Sequence, residues 1–106
     1  MLSYETEEDL SQPFTQAAES IVSLKDKLTQ EEMLILYGLY KQTLLGNNTT
    51  PLPSIIAQKD RHKWQAWSSN RGKLKRVARD EYVALANTLI TTRGRGCGKV
   101  DNPTSF

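Results

Sequence analysis

The chain predicts an all-α fold, a four-helix bundle closed on one core, and three observations predict it. Apolar residues recur at three- and four-residue spacing in four separate stretches, as one face of a helix requires. No stretch alternates apolar and polar residues over the length of a strand. Turn-forming clusters, Gly46 to Pro53 and then Gly72, divide the apolar stretches from one another. At 106 residues there is room for a single core and not for two.

The first helix is expected to begin near Pro13, because proline is favoured in a first helical turn, where no N–H is needed. Phe14, Ala17, Ala18, Ile21, Leu24 and Leu28 then form its apolar stripe. Thr29 followed three residues later by Glu32 is a capping-box pattern and starts the second helix. That helix carries Met33, Leu36, Tyr37, Tyr40 and Leu44, and stops at Gly46-Asn47-Asn48, where the left-handed backbone is accessible. A loop with Pro51 and Pro53 leads to a short third helix, from about Ser54 or Gln58 to Asn70. On it Lys59, Lys63 and Trp67 repeat every four residues and share a face, while Trp64 is turned by about 100° from Lys63. After Gly72 the fourth helix follows with Leu74, Val77, Ala78, Tyr82, Leu85, Leu89 and Ile90 in register. The domain is therefore placed at residues 11–92, with a flexible acidic segment at 1–10 and a flexible Gly/Arg-containing tail at 93–106.

Composition narrows the function classes. No apolar run approaches the roughly 18 residues that cross a bilayer, and the acidic start lacks the features of a signal peptide, so the cytoplasm is the expected compartment. The overlapping sequons at Asn47-Asn48-Thr49-Thr50 are then loop composition. The single cysteine, Cys97, excludes an internal disulfide and is read as an incidental thiol. No nucleophile–base pair and no metal-ligand spacing appears; His62 stands alone, and Asp80 and Glu81 are expected to pair with nearby arginines. Binding without catalysis, cofactor or metal is the expectation. Charge is uneven: residues 1–32 hold eight acids against two bases, and residues 33–106 hold four acids against twelve bases. A net −6 thus precedes a net +8, which points to an anionic ligand or surface held by the later part.

Two segments carry the candidate site, Tyr37-Gly38-Leu39-Tyr40-Lys41-Gln42 and Lys63-Trp64-Gln65-Ala66-Trp67. Each sets a cation and aromatic rings on one short helical stretch, and Lys41 lies one turn beyond Tyr37. An anion that also has a ring, such as a phosphate-bearing nucleotide, needs such cations, hydroxyls and a stacking face. Lys41, Lys63, Tyr37, Tyr40 and Tyr82 supply them. Trp64 and Trp67, three residues apart, are assigned to packing that holds the third helix in place.

With those runs, preceded by Glu31-Glu32 and an apolar stretch and followed by Gly46, Gly72, Ala78 and Tyr82 at matching intervals, the chain resembles the acyl-CoA-binding proteins over roughly Phe14 to Ile90. The resemblance implies a four-helix bundle that binds medium- to long-chain fatty acyl-CoA esters non-covalently and carries or buffers them inside the cell, as a monomer. It implies that Tyr37 and Lys41 contact the adenine and its 3′-phosphate, that Lys63 also meets the phosphate, and that Tyr82 joins from the fourth helix. Phe14 and Ala18 fall where the first helix borders the ligand. Transient contact with membranes or acyl-CoA-using enzymes would fit such a carrier. Two departures stand out: Val22 occupies a position where many members carry lysine, and Lys73-Leu74 follow Gly72 where a Ser or Thr cap is usual. The basic run Arg71, Lys73, Lys75, Arg76 and Arg79 supports an alternative, an anionic membrane-surface or nucleic-acid module, although a segment without stacking rings is poorly suited to nucleic acid.

Overall fold

The computed structural model describes residues 2–94, with side chains from Pro13 onward; the expected tail from Arg95 onward, Cys97 included, lies outside the described residues. Four α-helices make up the described chain: α1 (Leu2–Leu24), α2 (Gln30–Leu45), α3 (Gln58–Ser68) and α4 (Lys75–Leu89). A 3₁₀ turn, Lys25–Lys27, follows α1, and a π-helical turn, Ile90–Gly94, follows α4. Among the described residues there is no strand, as predicted.

The described residues divide into two compact units, one built from residues 2–28 with 83–94, the other from residues 29–82. In the first, Ala17, Ile21, Leu28, Ala86 and Leu89 are buried. Its α1 begins at Leu2, with Pro13 inside the helix instead of at its first turn. Proline costs the helix one interior bond, the one its N–H would give to Asp9.

The second unit holds the elements that matter for function. α2 starts with the capping box read from sequence: the Glu32 N–H donates to the Thr29 hydroxyl and the Thr29 N–H to the Glu32 carboxylate, both at 3.0 Å. It ends at Gly46, whose φ of 80° is available to glycine at little steric cost. α3 packs on α2 at Gly38, where an added Cβ would overlap the Ala66 carbonyl and come within 2.9 Å of Asn70 Nδ2. Only glycine allows that approach.

Buried amides hold the connections. Gln42, 1% exposed, donates from Nε2 to the Lys73 carbonyl at 2.8 Å and to Asn47 Oδ1 at 3.0 Å, tying the end of α2 to the start of α4. The same Asn47 oxygen accepts the Gly72 N–H at 2.8 Å. Asn48, equally buried, donates to Ser68 Oγ at 3.0 Å and accepts from the Thr50 amide at 2.9 Å and the Thr50 hydroxyl. The sequon asparagines are thus structural, and Asn48 has no face to offer solvent. The unusual Lys73 is anchored by Glu81 at 2.6 Å and by Asn70 Oδ1 at 3.0 Å. Glu81 therefore pairs with a lysine and not with an arginine, because Lys73 reaches it eight residues away across the entry to α4. Asp80 lies 3.7 Å from Arg79.

Candidate functional site

α2 and α3 bring three of the sequence-predicted residues together. The Lys41 ammonium stands 5.9 Å from the Tyr37 ring centroid, and the Lys63 ammonium stands 5.6 Å from the same ring. One phenol therefore carries two cations from two helices. Tyr37 and Lys41 meet because they are one α2 turn apart, and Lys63 reaches them because Gly38 lets α3 come close. Among the described residues neither lysine has an ion-pair partner. Two ammonium groups converging on one ring repel each other, and an anion bound between them would relieve that repulsion.

Trp67 belongs to the same cluster. Its ring lies 5.3 Å from the Lys41 ammonium, while its indole N–H donates to the Gly46 carbonyl at 2.7 Å. Trp67 is buried and packs, and beyond the packing role expected of it, it also supplies a face to Lys41. The available signal was its place four residues after Lys63, on one face of α3. Trp64 keeps the packing role, donating its indole N–H to the Thr50 carbonyl at 2.9 Å and pinning the loop before α3.

Both candidate tyrosines remain hydroxyls at neutral pH. Burial pushes the Tyr37 phenol up, and the Asp60 carboxylate adds to that shift by disfavouring a second negative charge. Tyr82 is pushed up to about 12 by burial and by the neighbouring Tyr40. Tyr82 packs against the Tyr40 ring, centroids 6.0 Å apart and tilted by 51°. The exposed Met33 and Leu44 flank Tyr37 along the same side of α2, four residues before it and seven after. That side of the helix thus offers cations, a hydroxyl, rings and apolar surface in a row. Phe14 and Ala18, one turn apart on α1, are each half-buried in the other unit. Val22 is 66% exposed.

Three comparisons bear on this arrangement. The family model described as acyl CoA binding protein matches residues 11–86. The acyl-CoA-binding protein of Saccharomyces cerevisiae is 42% identical over 81 residues, covering 76% of this chain and 93% of that protein. Acyl-CoA-binding protein 2 of Saccharomyces pastorianus is similar to the same extent. A crystal structure of Oryza sativa acyl-CoA-binding protein 2 superposes with a TM-score of 0.79 at 37% identity, covering 85% of this chain and 99% of the other.

Proposed function

Because the chain belongs to the acyl-CoA-binding protein family, we propose that it binds medium- to long-chain fatty acyl-CoA esters non-covalently and carries or buffers them in the cytoplasm as a monomer. The observation that carries the reading is the pair of ammonium groups, Lys41 and Lys63, which converge on the Tyr37 ring with no carboxylate bound to either among the described residues. A phosphate on an aromatic nucleotide supplies both things such a cluster lacks, a counter-charge and a ring. In this reading Lys41 and Lys63 hold the 3′-phosphate and the Tyr37 hydroxyl, kept protonated, donates to the head group. The buried Tyr82 contributes from α4 through Tyr40, the ring it packs against. Phe14 and Ala18 keep the ligand-bordering role that the resemblance implies for α1. The role in this reading is that of a binder and not an enzyme, which the match to a family described by binding supports.

The test is calorimetric titration with a ladder of acyl-CoAs lengthened two carbons at a time. Each buried methylene is worth about 0.8 kcal/mol, so each step should tighten binding about tenfold until the apolar surface is filled. A flat ladder, or equal binding of free fatty acid, overturns the reading. The alternative, a surface-binding module on residues 71–79, loses two of its five cations: Lys73 is committed to Glu81 and Arg79 lies beside Asp80.

A further inference from the structure

The most exposed large apolar side chains of the described residues lie on the loop that enters α3. Ile56 is 88% exposed and Ile55 73%, with Leu52 also exposed beside them in sequence. The loop that presents them is braced. Arg61 donates to the Pro53 carbonyl at 2.9 Å, the Ala57 N–H to the Ser54 carbonyl at 2.9 Å, and Trp64 holds Thr50. Two adjacent isoleucines held outward on a braced turn form an exposed apolar projection.

Charge identifies the partner. From Met33 to Arg79 the chain has nine Lys and Arg residues and one acid, Asp60. Asp60 lines the same shallow surface hollow as Ile56 and Lys59, and its charge also reaches the Tyr37 phenol. Lys59 is exposed three residues after Ile56, and Lys63 follows one turn later on α3. An exposed apolar tip beside cations that outnumber the single acid fits a deformable hydrocarbon surface with negative head groups. It does not fit nucleic acid, to which isoleucine offers neither charge nor a stacking face.

We propose that Ile55 and Ile56 insert into the interface of an anionic lipid bilayer while Lys59 engages its head groups. Docking there sets α3, and with it Lys63, against the membrane where an acyl-CoA would be collected or released; that consequence rests on the carrier reading, whereas the docking does not.

Co-sedimentation with phosphatidylcholine vesicles containing about one-third phosphatidylserine tests it, beside pure phosphatidylcholine vesicles and at low and high salt. The ligand-free wild type should partition onto the anionic vesicles at low salt and be released from them at high salt. The double variant Ile55→Ser, Ile56→Ser should lose at least tenfold in partitioning, and Lys59→Ala about fivefold. Both isoleucines are exposed, so the variant should keep wild-type helicity and acyl-CoA affinity. Equal sedimentation of the double variant and the wild type overturns the proposal. So does wild-type binding to an oligonucleotide with none to anionic vesicles. A wild type that fails the acyl-CoA ladder yet still docks through the isoleucines would overturn the carrier reading alone.

Discussion

Removing the Lys63 ammonium should weaken binding of coenzyme A and its acyl esters by about 10- to 150-fold, and the loss should depend on one phosphate. A charge-assisted hydrogen bond to phosphate is worth about 1.5–3 kcal/mol, which is that range of affinity. The fold should barely respond. Lys63 is exposed, and its contact with the Tyr37 ring at 5.6 Å is worth about 0.5–1 kcal/mol at such a site. Relief of repulsion from Lys41, which shares the ring, offsets part of that loss. Lys63→Ala would be titrated calorimetrically with coenzyme A and with 3′-dephospho-coenzyme A, and unfolded in urea in parallel. If Lys63 holds the 3′-phosphate, the wild type loses affinity for the dephosphorylated ligand, and the variant and wild type then bind it alike. The same cycle with Lys41→Ala should show coupling between the two lysines of about 0.5–3 kcal/mol, since both would grip one group. A Lys63→Ala penalty of equal size on both ligands would refute the assignment to that phosphate. Wild-type affinity for coenzyme A in both variants would refute the site.

Other outcomes follow from the same geometry. Gly38→Ala drives a methyl into the Ala66 carbonyl, so α3 must shift away from α2; urea unfolding should show a loss of about 1–3 kcal/mol, accompanied by weaker ligand binding. Tyr82 is raised to about 12 from an unfolded value near 10, so the unfolded state gives up its proton first and stability is lost as pH rises through that window. That difference corresponds to about 2–3 kcal/mol, and Tyr82→Phe should flatten the fall between pH of about 9 and 12 in urea titrations, whereas an unchanged slope would place the titration elsewhere. Val22→Lys replaces an exposed apolar side chain, so stability should move by no more than about 0.5 kcal/mol, while calorimetry should show tighter binding of coenzyme A if the resemblance places a phosphate contact there.

Local features were legible where the chemistry is local. Thr29 and Glu32 cap α2 because the two groups that satisfy each other are three residues apart. Tyr37 and Lys41 meet because helical periodicity stacks residues one turn apart. The start of α1 was misplaced at Pro13, because proline favours a first turn without forbidding an interior one, and the helix continues back to Leu2. Gln42 was visible as part of the Tyr-Lys-Gln run, yet nothing in that run says that its amide is buried against Lys73, thirty-one residues on. Asn48 read as loop composition for the same reason, since its partners Thr50 and Ser68 are fixed only when the loop folds over α3.

By itself the sequence determined the all-α class, the helix spacing, the cap of α2 and the residue types an anionic aromatic ligand requires, all of which depend on periodicity and on neighbours within a turn. Only the tertiary structure decided that Lys41 and Lys63 share the Tyr37 ring, that Trp67 lies against Lys41, and that Ile55 and Ile56 stand in solvent. Those facts depend on how closely α3 approaches α2 and on where the loop between them turns, and both are set by contacts between residues far apart in the chain, with Gly38 against Ala66 foremost among them.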